Sequence, residues 1–363
     1  MTHTKLLTTP KSRRSILKGL GVAAVGISLS NSKFAWAADE EPKLNFYNWD
    51  TYIGETTLET FKDASGIDVN MSLFATNDEL FAKLRAGNPG FDVIVPGSEF
   101  VERMIQANLL EELDHAKIPN IKNIAPAFFD EAPFDPGRKF SMPYTWLVIG
   151  IGYRKSKVKS VPDSWKYLFD SDEYKGKIAV MSDASELFRN CFKYLGQSLN
   201  STSPELLKQA ETMLIKQKPN IKVFHEDNGQ DLLLSGEVDV VMEYNGDIAQ
   251  IMLEDDDVDF VVPKEGAMKQ QDTLAIPKGA PHPENALKFI NFILDAKVGA
   301  EISETIKYPS PNAAAVALMP ASYKDNKVIF PPADLVAKCE YPNYLGPEFT
   351  RLLDEAMTRL RAA

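Results

Sequence analysis

Strand and helix patterns alternate from Leu44 to Gly97, and this alternation restricts the possible folds more than any other feature of the chain. Leu44, Phe46 and Trp49 mark a short strand; Thr56 to Ala64 carries apolar and polar residues at helical spacing, and Gly66 stops it. Ile67 to Leu73 alternates strictly, which is the period of a half-buried strand. Asn77-Asp78-Glu79 caps a helix through Leu80, Phe81 and Leu84 to Gly87. Phe91 to Val95 is a compact apolar strand closed by Pro96-Gly97. The order β-α-β-α-β is that of a parallel sheet with helices on both faces. The same grammar predicts strands at 177–181, 237–242, 258–262 and 273–276, with helices from Glu186 to Leu195, after Asn245 and from Pro283. The class is α/β.

Residues 1–37 read as a cleaved export signal. Adjacent Arg13 and Arg14 precede an apolar run from Leu20 to about Leu29, and Ala35-Trp36-Ala37 forms a small-x-small cleavage site. The run is about half the roughly 20 residues that span a bilayer, so a permanent anchor is not expected. Paired arginines resemble the twin-arginine signal. The two cysteines, Cys191 and Cys339, lie far from the signal, so no lipid anchor is expected and the mature protein should be a free periplasmic one. That compartment permits a disulfide, and a buried free thiol fits Cys191 equally well.

The signal holds six basic residues and no acid, so the formal net charge of −11 becomes −17 once it is removed. Such an acidic surface disfavours nucleic acid and draws in cations. In open α/β sheets, ligands sit beyond the carboxyl ends of the strands. Those positions are Trp49, Asp50, Thr51 and Tyr52; Gly97, Ser98 and Glu99; Ser182, Asp183 and Glu186; and Tyr244 to Asp247. They are rich in carboxylates and aromatics and hold no Lys, Arg or His. Carboxylates pair with ammonium groups, and aromatic faces attract cations. A cleft for an organic cation follows. Each acid taken singly could equally be a helix cap, Asp183 most plainly.

Several segments carry a family likeness. Tyr47-Asn48-Trp49, Val95-Pro96, Ser141 to Trp146, Asp183-Ala184-Ser185-Glu186, Asn245-Gly246-Asp247, Pro263 to Gly266, Asp272 to Pro277 and Tyr308 to Asn312 resemble the bacterial spermidine/putrescine-binding proteins, in order along nearly all of the mature chain. The resemblance implies a two-lobed periplasmic-binding-protein fold, each lobe a mainly parallel sheet flanked by helices, with the ligand cleft between them. It divides the chain into 38–146 with 271–317, and 147–270 with 318–363. It implies a monomer that delivers a polyamine to the membrane permease of an ABC importer, without cofactor or metal. By position it assigns ligand contacts to Trp49, Asp50, Thr51, Tyr52, Gly97, Glu99, Asp183, Glu186, Tyr244, Asp247, Asp272 and Tyr308. Gln270 joins them, in place of an aromatic residue usual in the family.

The departures are specific. Gly97 stands where a serine is expected, Tyr244 where a Trp is, and Glu99 is an added carboxylate. An extra acid suits an extra amine, so spermidine is expected to bind better than putrescine. The same scaffold could take another cationic amine or serve a sensor. An exported hydrolase is the rival from another class, but G-x-S-x-G, Walker A, H-E-x-x-H and C-x-x-C motifs are all missing. His115, His225 and His282 stand alone in loop-like surroundings and read as surface histidines.

The signal reading is testable by itself. Arg13→Lys with Arg14→Lys keeps the charge but removes the arginine pair. The precursor should then accumulate in the cytoplasm; fractionation showing normal periplasmic yield would reassign it to the general secretory route.

Overall fold

The computed structural model describes residues 40–130, 132–226 and 228–363, so the export signal lies outside the described residues. Among those described, nine strands form one hydrogen-bonded ladder: β1 (Lys43–Asn48), β2 (Asp68–Leu73), β3 (Val93–Ile94), β4 (Ser141–Arg154), β5 (Ile178–Met181), β6 (Ile221–His225), β7 (Val240–Tyr244), β8 (Val258–Val261) and β9 (Lys269–Ala275). Their order is β2-β1-β3-β9-β4-β7-β5-β6, with β8 beside β4.

Strand β1 is parallel to β2 and β3, and β5 is parallel to β6 and β7, as the β-α-β grammar requires. The central pairings are antiparallel: β4 with β7, β8 and β9, and β3 with β9. The mainly parallel expectation therefore holds for the outer strands only. The cause is β4, which is 14 residues long. Its first part, Ser141 to Val148, pairs with β9, and its last part, Ile151 to Arg154, with β8.

The apolar residues divide along this strand. Met142, Tyr144 and Leu147 pack with Leu44, Phe46, Val93, Leu274 and Ile290. Val148, Ile149, Ile151 and Tyr153 pack with Ile178, Val180, Phe188, Val240 and Val241. All four residues of β5 are buried, because helices cover both faces of a parallel sheet. A third cluster gathers Tyr47, Phe74 and Leu80 with Val101 and Met104 of the helix Ser98–Gln106.

Element boundaries moved in ways that matter for the site. The strand expected to start at Thr273 starts at Lys269, so Gln270 and Asp272 lie inside β9. Its polar first half hides the strand from a hydrophobic pattern. The strand expected over 237–242 runs Val240–Tyr244, which makes Tyr244 its last residue. The helix expected from Glu186 begins at Ala184.

His115 is exposed, as expected, but His225 and His282 are not isolated surface residues. His225 is 2% exposed, its Nε2 lies 2.9 Å from the Met242 carbonyl, and burial pushes its pKa down to about 4. His282 Nδ1 is 2.9 Å from Asp92 Oδ2, and His115 Nε2 is 2.7 Å from the Arg138 carbonyl. His225 ends strand β6, and His282 meets the residue just before β3, which sequence spacing does not reveal. Among the described residues no helix is long and apolar enough to cross a membrane.

Cys191 and Cys339 are both free and buried. Burial raises the pKa of each thiol, so neither is a ready nucleophile. Thiol titration of the mature protein should find almost no reaction in the native state and two thiols after unfolding.

Candidate functional site

The chain leaves β1 at Asn48, a fully buried residue whose Nδ2 donates to the Tyr52 carbonyl at 2.9 Å. The Asp50 carboxylate accepts from the Thr51 N–H at 2.9 Å, and Thr51 sits at φ 49°. This tight turn sends Asp50 and Thr51 outward, where both are exposed, and brings Tyr52 inward to 6% exposure. The Tyr144 hydroxyl donates to the Tyr52 carbonyl at 2.7 Å and fixes the turn from β4. Trp49 donates from Nε1 to the Val95 carbonyl at 2.9 Å and leans on Phe74.

Strand register supplies the central acid. A shift between Pro143 and Thr145 in the β4–β9 ladder sets Thr145 opposite Asp272. The Tyr52 hydroxyl donates to Asp272 Oδ2 at 2.8 Å, and its oxygen lies 2.5 Å from Thr145 Oγ1. Asp272 is 7% exposed, and burial pushes its carboxyl up to about 6 against the pull of the Tyr52 bond. Burial and the Asp272 charge hold Tyr52 well above the ordinary phenol range, so it remains a donor. The result is a buried acid supported by a neutral hydroxyl and, among the described residues, by no cation.

Gly97 bridges to Asp272 across the sheet and donates its N–H to Asn77 Oδ1 at 3.0 Å. A Cβ placed on Gly97 would lie 3.2 Å from Asn77 Nδ2, 3.3 Å from Gln270 Oε1 and 3.6 Å from Asp272 Oδ1. The missing side chain thus lets three polar groups converge. Gln270 Nε2 donates to Glu186 Oε1 at 3.0 Å, and the Tyr244 hydroxyl donates to the same oxygen at 2.5 Å. Tyr308 is 4% exposed, crosses Tyr52 edge-to-face at 5.1 Å between ring centroids, and is hydrogen-bonded to Asp247. Gly246 lies directly beneath it, since a Cβ there would fall 2.3 Å from the Tyr308 ring.

The structure therefore brings Tyr52, Gly97, Glu186, Tyr244, Gln270 and Asp272 into one connected network, with Tyr308, Asp247 and Trp49 at its edge. Four expected residues stand differently. Asp50 and Thr51 form the exposed turn. Asp183 is exposed and caps the helix Ala184–Tyr194, accepting from the Glu186 N–H at 2.8 Å. Glu99 has a counter-ion in the protein itself, Arg189 Nη1 at 2.9 Å, with Ser185 Oγ at 3.4 Å. Burial pushes Glu99 up to about 7 while Arg189 pulls it down.

Asn77, Thr145 and Arg189 were missed. Asn77 reads as a helix start, Thr145 as one residue of a family motif, and Arg189 as part of a helix with a buried face. Only the packing of separate strands and helices shows where they point. Among the described residues no group of three His, Cys, Asp or Glu could hold a metal ion.

The sequence profile of the bacterial extracellular solute-binding proteins matches residues 56–331. The chain belongs to that family. Within it, this solute-binding protein is 34% identical over 349 residues to the spermidine/putrescine-binding periplasmic protein of Escherichia coli, with 95% of this chain and 97% of the relative covered. It is also 34% identical over 343 residues to the putrescine-binding periplasmic protein of the same organism, covering 90% and 93% of the two chains. A spermidine/putrescine ABC transporter substrate-binding protein from Streptococcus pneumoniae superposes with a TM-score of 0.79 at 30% identity, over 88% of this chain and 98% of that one. A structure from Listeria monocytogenes reaches 0.83 at 33% identity, over 88% and 99%. These relatives are substrate-binding proteins of transporters and not enzymes, so the hydrolase reading falls away.

Asp272 provides a test with a definite sign. Its native carboxyl binds a proton at higher pH than an unfolded aspartate does. Between about pH 6 and 4 the native state holds a proton that the unfolded chain lacks, so this group adds stability as pH falls through that window. The change approaches about 3 kcal/mol for a shift of roughly two pH units. Asp272→Asn should abolish this part of the unliganded protein's stability–pH curve, as measured by urea unfolding. An unchanged curve would show that the carboxyl is not desolvated.

Proposed function

We propose that this chain is the periplasmic binding component of an ABC importer for polyamines, and that it works as a monomer. The single observation that carries the reading is Asp272, a buried carboxylate with a hydroxyl donor beside it and, among the described residues, no cation to balance it. An ammonium group of the ligand is the natural partner, since a charge-assisted bond to it offsets the cost of burying the acid. Glu186 offers a second acid, oriented by Tyr244 and Gln270. The rings of Tyr52, Tyr308 and Tyr244, with Trp49 at the edge, cover the methylenes and attract the cation. The names of the relatives, which include both spermidine/putrescine-binding and putrescine-binding proteins, support the amine class.

The two halves that meet between Leu147 and Val148 are taken as lobes, 38–146 with 271–317 and 147–270 with 318–363, closing on the ligand by bending near β4 and β9. An ammonium on Asp272 would bridge them, because β9 lies where they join. A preference for spermidine over putrescine would have to arise from some acid other than Glu99, whose counter-ion is Arg189. A sensor of the same ligand would need the same site, so transport and sensing differ only in the membrane partner.

Calorimetric titration of the mature protein with putrescine, cadaverine, spermidine, spermine and agmatine tests the reading. At 100-fold excess over Kd a bound amine should add about 2.7 kcal/mol to stability and raise the melting temperature. Sugars and amino acids should leave it unchanged. Asp272→Asn should weaken amine binding by on the order of 1.5–3 kcal/mol, the range for a hydrogen bond to a charged group. Stabilisation by sugars or anionic metabolites with none by amines would overturn the proposal.

A further inference from the structure

The helix Ser98–Gln106 packs through Val101 and Met104 into the cluster around Tyr47 and Leu80. Arg189 belongs to the helix Ala184–Tyr194, which packs with β5 through Leu187 and Phe188. The Glu99–Arg189 ion pair therefore joins two elements that share no core. It is well shielded, with side-chain exposures of 17% for Glu99 and 0% for Arg189.

Arg189 is held in place from its own side. Its Nε donates to the Leu199 carbonyl at 2.9 Å, Nη1 to Ser185 Oγ at 3.1 Å, and Nη2 to Asn200 Oδ1 and to the Asn343 carbonyl at 3.2 Å. Only the bond to Glu99 crosses to the other half. If the halves part, Arg189 keeps its remaining bonds and Glu99 loses its partner. A second crossing contact lies one turn along the same helix, where Glu102 Oε2 accepts from the Tyr344 N–H at 2.8 Å. Next to it, the Arg103 guanidinium lies 5.7 Å from the Tyr344 ring.

We infer that the helix Ser98–Gln106 carries a clasp, Glu99 on Arg189 and Glu102 on the Tyr344 backbone, that closes the two halves without a ligand and places a protein cation where Glu99 would otherwise take one from an amine. The inference rests on the reading of two lobes that close on a cationic ligand. It makes Glu99 a determinant of closure and of ligand choice, while Asp272 remains the buried acid for an amine. Because closed protein is the form that binds, apparent affinity scales with the closed fraction.

The test uses the mature protein with Glu59→Cys and Gln209→Cys, both exposed and one on each half, labelled with nitroxides while the buried Cys191 and Cys339 stay unlabelled. Double electron–electron resonance then reads the distance with and without putrescine. The amine-free protein should show a major short-distance population that coincides with the putrescine-bound one. Glu99→Gln should lower the ratio of short to long populations at least tenfold, as loss of one partner of a shielded ion pair implies. Putrescine and spermidine should then weaken by one common factor, equal to the loss in closed fraction.

Glu102→Ala leaves Arg189 paired and should shift the distances the same way by a smaller factor. Circular dichroism of each variant reports whether it folds. Unchanged amine-free distances in both variants would overturn the clasp, and so would a loss of spermidine affinity alone, which marks Glu99 as a ligand contact. Wild-type protein that binds no putrescine or spermidine by calorimetry yet shifts its distances on Glu99→Gln would refute the polyamine reading and leave the clasp standing.

Discussion

The pairing of β4 with β9 is the constraint on which the rest of the molecule depends. It runs through the place where one set of apolar residues gives way to the other, so the same ladder that spans both clusters also carries the acid. Thr145 faces Asp272 only because the register shifts after Pro143, a residue that lacks an N–H to give to the ladder. The Tyr52 ring reaches the same point from the end of β1 because a left-handed Thr51 turns the chain sharply. Three distant segments thereby meet at one carboxylate, and each is held by backbone geometry rather than by the acid itself.

That arrangement costs stability in the unliganded state. A carboxylate shielded from water without a cation is an unfavourable group, and a neighbouring hydroxyl compensates only in part. Binding sites commonly retain such tension, since the ligand then supplies what the fold leaves out. Glu99 shows the opposite solution. It is also shielded, but its cation is part of the chain. Two acids with similar sequence credentials thus serve different ends.

Much of this was legible in the sequence, for identifiable reasons. The β-α-β-α-β start is encoded by local periodicity and by Gly66, Gly87 and Pro96-Gly97, so it survived intact. Tyr52, Glu186, Tyr244 and Asp272 follow from strand ends and from family likeness, and they do converge. What local pattern could not reveal was any property set by a partner far along the chain. The strand β9 begins with Lys-Gln-Gln-Asp, which reads as a loop until Gln271 is seen to meet Arg138 and Asp272 to meet Tyr52. Asp50 looked like the first acid of the site, but a one-residue turn decides whether it faces in or out. Glu99 looked available because Arg189 lies 90 residues away, and His225 looked exposed because its cover comes from β7.

Gly246 has a consequence for how the site could change its ligand. The Tyr308 ring rests directly on the backbone at that position, with no room for even one methyl group. The Tyr308 ring, which meets Tyr52 edge-to-face, is thus backed by main chain, which cannot retreat as a side chain can. A larger residue at 246 would drive the ring forward against Tyr52, whereas no residue at 246 can give it more room. Descendants of this protein that came to accept bulkier cations would have to replace the ring itself, so position 308 is where a broadened ligand range should first leave its mark.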